Sequence, residues 1–350
     1  MISNNISRVY FFSPGYILGG GDPFLSYLAK YISEQKNIKI GVIDFKNGAL
    51  TYYIQKELPK VVDIDYVDYD EDILKLEDDS VIVSHAELFC CIKKCSGKNI
   101  RILNIFWNID TSWRTLFLPS EIKKWAPLFD KLNGCVFLDY GICLENSRRL
   151  KHKFKERIMP LYFNGEYFSD PHEIINKNEI NLVWVGRLSE SKSWAVMNII
   201  KNYSLYKTEK KKVFHIIGGG EFEDKLKILS TPYKNEIEFK FVCPLFGDKL
   251  KEYLKTKTDI GIGMGTSILL MSSFAIPTIG CSEASNGKYF DPNFIWVCDE
   301  YKYCTGVLKG QTDMSKYAHS LDYLLDEAYT EDNIKIIGKK MSRIYKKYAQ

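Results

Sequence analysis

Residues 183–192 read VWVGRLSESK: three apolar residues, then Gly-Arg, then a Lys five residues after the Arg. The run Val183 to Val185 predicts a buried strand ending at Gly186, with a helix after it. Arg187 and Lys192 would then project from one strand-to-helix junction, where the first N–H groups of the helix also point outward. Two cations beside open N–H groups make an anion site suited to a diphosphate. The same two side chains also fit the solvated end of any α/β strand.

Such a junction needs a parallel sheet behind it, and the chain supplies the pattern. In the first half, strands are predicted at VYFFSPG (9–15), IKIGVID (38–44), VVDIDYV (61–67), SVIVSHA (80–86), IRILNIFW (100–107) and GCVFLD (134–139). Helices are predicted at FLSYLAKYISEQ (24–35), near 50–57 and at ENSRRLKHKF (145–154), with a short closing strand at RIMPLYF (157–163). The polar segment Asn164 to Asn181, with Asp-Pro at 170–171, reads as a linker. The βα rhythm then restarts with NLVWVG, KKVFHIIGGG, EIEFKFV, the helix LKEYLKT, DIGIGMG, the helix SILLMSSFA and IPTIG, and it ends in a mostly helical tail. The expected architecture is α/β: two doubly wound, Rossmann-like domains at 1–163 and 182–350, joined through 164–181.

The 350 residues suffice for two domains of ordinary size. A 45% hydrophobic and 26% charged composition describes a soluble globular protein, and a net charge of +4 is too small to imply nucleic acid. Nine Cys at irregular positions, without paired CxxC motifs or a signal peptide, read as reduced cytoplasmic thiols rather than zinc ligands. No stretch approaches the roughly 18 apolar residues that span a bilayer. The acidic run DIDYVDYDED (63–72) reads as a strand running into a solvated turn, so no metal and no cofactor are expected.

In order and spacing, the second half resembles the family-4 glycosyltransferases of the GT-B fold. VGRLSESK resembles their GRL-x-x-x-K motif, HIIGGGEFEDKLK their "IIGDG" strand and helix, and FVCPLFGDKLKEYL their "FLG" strand. DIGIGMGTSILLMSSFAIPTIG resembles their donor-site stretch, PLYFNGEYFS their hinge motif, and SPGYILGGGDPFLSYLAKYI their first Gly-rich loop and helix. The resemblance implies transfer of a sugar from a nucleotide-sugar, in a cleft between two domains, without a required metal. It assigns Arg187 and Lys192 to the diphosphate. Gly219, Gly263, Gly265, Thr266 and Ser267 fall to the donor, met by Gly19, Gly20 and Gly21 from the first domain. It also places His85, at a predicted strand end, against the donor sugar or diphosphate. The last helix crosses back to the first domain in much of the family.

One departure stands out. The family carries two Glu residues eight apart in the donor stretch, one for the donor sugar and one for the ribose hydroxyls. Aligned backward from Pro277, those positions are Ile262 and Leu270. An aliphatic group cannot accept hydroxyl hydrogen bonds. The donor is then held differently, or the chain is a non-catalytic partner of an active glycosyltransferase, or the register is shifted and Glu221 or Glu283 substitutes. An epimerase or phosphorylase of the same fold is a further alternative.

Glu87 lies near His85 and is a candidate to act on an acceptor hydroxyl. Asp110, Trp113 and Arg114 follow another strand end and are candidates to line the acceptor side. His215, inside VFHII, reads as a core residue. Six Lys or Arg within residues 148–157, and the amphipathic SEIKKWAPLF (120–129), suit an anionic membrane surface or a polyprenyl-diphosphate acceptor; they equally suit a solvated helix face. The expected setting is cytoplasmic, with or without contact to the inner membrane face, in a bacterial-type surface polysaccharide pathway.

Overall fold

The structure is a computed structural model. It describes residues 6–16, 21–36, 38–59, 63–84, 94–106, 126–160, 173–245, 247–282, 291–299, 318–330 and 333–349. The chain forms two compact units, Met1–Tyr162 and Phe163–Gln350.

The first unit is built on a six-stranded sheet: β1 (Arg8–Phe12), β2 (Lys39–Asp44), β3 (Ile64–Asp68), β5 (Val81–Ser84), β7 (Arg101–Phe106) and β8 (Cys135–Phe137), in the order β3-β2-β1-β5-β7-β8. Every pairing is parallel. The continuous apolar runs follow from this, because a parallel strand is covered on both faces. β1 is buried at all five positions, and Tyr10, Phe11 and Phe12 fill the layers on either side of it. Helices α1 (Gly21–Lys36), α2 (Ala49–Glu57) and α3 (Tyr140–Leu150) accompany the sheet. A two-stranded ribbon, β4 (Leu74–Lys75) with β6 (Cys95–Ser96), was not predicted; it is too short to leave a periodic signal.

Two expectations for this unit need correction. The helix expected at 145–154 runs instead from Tyr140 to Leu150. Asp139 caps it early by accepting the Ile142 N–H at 2.8 Å, and Lys151 ends it in a left-handed conformation. The strand expected at 157–163 is reduced to one bridge, Ile158 to Phe137, with residues 161–163 outside the described part.

The second unit holds another six-stranded sheet: β9 (Glu179–Val185), β10 (Lys211–Ile217), β11 (Glu238–Val242), β12 (Ile260–Gly263), β13 (Thr278–Gly280) and β14 (Ile295–Trp296), in the order β11-β10-β9-β12-β13-β14. All pairings are parallel except β13 with β14, an antiparallel edge the sequence did not announce. β9 starts at Glu179, so the last residues assigned to the linker are strand. The helices are α4 (Glu190–Leu205), α5 (Glu223–Ser230), α6 (Gly247–Lys257), α7 (Thr266–Ser273), α8 (Leu321–Tyr329) and α9 (Asn333–Ala349). The tail is therefore two helices. The last, α9, packs within its own unit against α7 and α8 through Ile334, Ile337 and Met341.

At the amino ends of these strands the carboxylate of Asp259, fully buried, accepts the N–H groups of Ile175 (2.7 Å) and Asn181 (2.8 Å), the Asn181 amide (3.0 Å) and the Tyr329 hydroxyl (3.1 Å). This one side chain ties the incoming segment to β9, β12 and α8. His215 joins the same network through Asn181 (3.2 Å) and Tyr253 (2.7 Å). Burial, more than the nearby Lys240, pulls its pKa down to about 4. It is a neutral core histidine inside β10, in register with Val183 of β9.

Candidate functional site

In an open α/β sheet a ligand binds outside the carboxyl ends of the strands, where the strand order reverses. In the second unit that reversal lies between β9 and β12, since β10 and β11 extend one way and β13 and β14 the other. The two loops that flank it carry Gly186-Arg187 and Gly263–Ser267, the segments the sequence singled out.

The Arg187 loop is fixed by its neighbours. The Gly186 N–H donates to Ile217 C=O (3.0 Å), Leu188 N–H to Gly219 C=O (3.0 Å) and Phe222 N–H to Leu188 C=O (3.1 Å). Leu188 is itself buried in the core. Only glycines permit this lacing: a Cβ on Gly218 would collide with the Gly186 carbonyl, and one on Gly220 would stand 2.6 Å from the Leu188 oxygen. Gly219 thus belongs to the loop that positions Arg187. Held by its backbone on both sides, Arg187 points into solvent with no hydrogen-bond or ion-pair partner among the described residues. A rigid backbone under an unpaired guanidinium is a preorganised anion donor.

Lys192 sits in the first turn of α4, whose N-cap Ser189 makes no side-chain cap. Its charge reaches across to the β13 end of the sheet: burial, and then Asp291, push the Cys281 thiol up, while the Lys192 ammonium pulls it down. Cys281 in turn donates its N–H to the Gly263 C=O at 3.0 Å. Lys192 and Arg187 thus both lie on the β9-to-α4 connection at the reversal point, Arg187 in the loop and Lys192 in the first helical turn. Among the described residues, Trp184 Nε1, Ser193 Oγ and Ser282 Oγ are buried without a hydrogen-bond partner.

On the β12 side, Gly265 adopts φ 67°, which turns the chain sharply into α7. Thr266 is exposed at the head of that helix, and the Ser267 hydroxyl is committed to the Met264 C=O at 2.9 Å. Ser267 can offer a ligand its N–H but not a free hydroxyl. Ile262 lies inside β12, fully buried and paired with Trp184 and Ile279. Leu270 is partly buried and packs against the same core. Both positions aligned to the family's acids are packing positions here. Glu221 is exposed beside the Gly loop, and Glu283 lies outside the described residues.

In the first unit the reversal falls between β1 and β5. Gly19, Gly20, His85 and Glu87 follow those two strands, and Asp110, Trp113 and Arg114 follow β7; all seven lie outside the described residues. Gly21 opens α1. The next residue, Asp22, is buried and accepts the Ser13 hydroxyl at 2.7 Å. An acid at that helix terminus already answers its positive end, which suits a hydroxyl-bearing group there better than a second anion.

The basic run at 148–157 is partly structural. Arg148 pairs with Glu145 at 2.6 Å, and Arg157 pairs with Asp130 at 2.7 Å. Asp130 also meets His152 at 3.0 Å, and Arg157 with His152 holds its carboxyl below the usual range against the effect of burial. Sequence reasoning missed this hub, and it missed Asp44. The buried Asp44 carboxylate accepts the N–H groups of Gly15 (3.1 Å), Phe45 (2.8 Å) and Thr51 (2.9 Å). The available signal was an Asp closing β2 four residues before Gly48, where any Cβ would strike that carboxylate.

No family model matches the sequence, and no curated protein matches it. Solved structures do match in fold. The Anabaena protein HepE in complex with UDP and glucose superposes with a TM-score of 0.58 at 11% identity, over 98% of this chain and 96% of that one. The lipopolysaccharide outer core galactosyltransferase WaaB gives 0.56 at 12% identity, over 98% and 96%. TarM from S. aureus, in a complex that includes UDP, gives 0.57 at 10% identity, over 98% and 96%. The chain has the GT-B fold of glycosyltransferases.

Proposed function

We propose that this chain transfers a sugar from a nucleoside-diphosphate sugar to a saccharide or lipid-linked saccharide acceptor. The observation that carries the reading is the unpaired Arg187, fixed by backbone bonds at the strand-order reversal with Lys192 on the same edge. The departing nucleoside diphosphate gains charge as the glycosidic bond breaks, and two preset cations stabilise that charge in the transition state. UDP is the carrier we favour, because HepE and TarM were solved with it. The N–H groups of Gly265, Thr266 and Ser267 serve the phosphate or sugar from the other side of the reversal. His85, by resemblance, belongs to the donor sugar or diphosphate; Glu87 is placed to act on an acceptor hydroxyl, and Asp110, Trp113 and Arg114 to line the acceptor side. We further propose retention at the anomeric carbon, no requirement for a metal, and work at the inner membrane face in surface polysaccharide synthesis. Among the described residues no helix is long and apolar enough to cross a membrane.

A melting-temperature screen tests the donor reading. UDP is expected to raise the melting temperature of the intact chain, and GDP to raise it less. A null response to UDP, GDP and their sugars argues against any donor site. One observation favours a second reading, a non-catalytic partner in a glycosyltransferase complex: apolar packing occupies both acid positions. That reading predicts no nucleotide response together with co-purification of an active glycosyltransferase.

A further inference from the structure

The carboxyl edge of the first sheet carries an aromatic ladder that the donor reading leaves unused. β1, β2 and β3 are neighbours, and the segment after each contributes one ring: Tyr16, Phe45 and Tyr69. Tyr16 stacks on Phe45 with centroids 5.0 Å apart and planes at 11°. Phe45 meets Tyr69 edge-on at 5.4 Å, Tyr69 meets the buried Phe12 edge-on at 5.5 Å, and Lys94 lies over the Tyr69 ring at 4.6 Å. The ladder thus runs from the core to solvent. Its outermost ring, Tyr16, is 65% exposed, and its hydroxyl has no partner among the described residues.

Asp44 holds the ladder in place. Its carboxylate takes the N–H groups of Gly15, the neighbour of Tyr16, and of Phe45 itself, and its backbone oxygen takes the Tyr69 N–H at 2.8 Å. Ala49 N–H to Gly15 C=O, at 2.7 Å, adds a further tie. One buried residue that fixes three loop segments, two through its carboxylate and one through its backbone oxygen, gives a rigid platform, and a rigid exposed ring at the ligand edge of an α/β sheet invites a flat partner.

We propose that Tyr16, backed by Phe45, is a stacking platform for an uncharged sugar ring of the acceptor. This rests on the glycosyl-transfer reading and names the acceptor's seat. Charge decides the class of occupant. Asp70, Glu71 and Asp72 are exposed on the segment after β3, which repels a diphosphate, an anionic bilayer or a nucleic acid. Lys46 and Asn47 are exposed beside Phe45. An aromatic floor with carboxylates, an amide and an ammonium at its rim matches a pyranose: axial C–H groups meet the negative ring face, and equatorial hydroxyls meet the rim. One open ring is far below the roughly 1,000 Å² that a specific protein interface needs.

Saturation-transfer NMR on the full chain with cellobiose, lactose and N,N′-diacetylchitobiose tests this, with the UDP melting shift recorded in parallel. At least one disaccharide is expected to receive saturation, strongest on the C–H groups of a single ring face. Tyr16→Ala is expected to weaken that binding about 3- to 10-fold, the value of one aromatic stack. Tyr16→Phe should keep it, and both variants should keep the parent's melting temperature and UDP shift. If none of the three sugars is saturated, or if Tyr16→Ala binds them as the parent does, the platform assignment is overturned. Sugar saturation without a UDP response would instead remove the donor reading and leave the platform standing.

Discussion

Replacing Gly220 by Ala should damage the second unit and its nucleotide binding together, whereas the same change at Gly219 should do neither. A Cβ on Gly220 stands 2.6 Å from the Leu188 oxygen and 2.8 Å from its carbonyl carbon. Ordinary C···O contact begins near about 3.3 Å, so the two loops must part by about 0.7 Å. The bonds from Phe222 N–H to Leu188 C=O and from Leu188 N–H to Gly219 C=O now measure 3.1 and 3.0 Å. That displacement stretches both to about 3.7 Å, beyond hydrogen-bonding range. Each of the two buried bonds so broken costs about 1–3 kcal/mol, hence about 2–6 kcal/mol in total. For a unit of this size the melting temperature should fall by roughly 5–20 °C. Arg187 is anchored through the same bonds, so UDP should also bind more weakly at temperatures where the variant is folded. At Gly219 a Cβ finds the Pro244 ring at 3.3 Å and the Glu223 carboxylate at 3.5 Å, both side chains that can give. Gly219→Ala should cost less than about 1 kcal/mol. Thermal melts and UDP titrations of the two variants check this. Equal behaviour of the pair, or greater damage at Gly219, would refute the lacing as the device that positions Arg187.

Three other outcomes follow from the same geometry. Arg187→Ala should weaken UDP binding by about 1.5–3 kcal/mol, roughly 10- to 150-fold in Kd, with an unchanged melting temperature because the exposed side chain makes no hydrogen bond or ion pair among the described residues; calorimetric titration measures it. Sugar transfer, or hydrolysis of the nucleotide-sugar, should persist in excess EDTA; loss of activity restored by manganese would contradict the cation pair as sufficient. His215 has a folded pKa of about 4 against 6.5, so the unfolded chain binds the extra proton first. Its stability contribution is complete above pH 6.5 and lost as pH falls toward 4, by about 3 kcal/mol at 1.36 kcal/mol per pH unit. Chemical melts of the parent and His215→Asn between pH 7 and 4.5 should therefore converge as the solution is acidified; parallel curves would show that His215 is not buried neutral.

The sequence alone determined the elements with strong periodic or punctuation signals. The buried parallel strands announced themselves as unbroken apolar runs, because residues covered on both faces cannot alternate. The Gly-Arg junction after β9 and the Gly-rich exits of β10 and β12 were legible for the same local reason: a strand that turns directly into a helix needs small residues and exposes helix N–H groups. Tertiary structure alone decided which chemistry those residues retain. That Arg187 is unpaired while Arg157 is spent on Asp130 depends on neighbours some 27 residues away or more, and both look alike as basic residues in a string. Ile262 reads as a lost acid in an alignment, yet in the sheet it is a core residue between Trp184 and Ile279. Asp44 showed only one local sign of its role, its place four residues before Gly48, because the partners of its carboxylate come from two different loops and a helix. The tie to Gly15 exists only once β1 and β2 lie side by side, since hydrogen bonds and ion pairs act over ångströms in space and ignore distance along the chain.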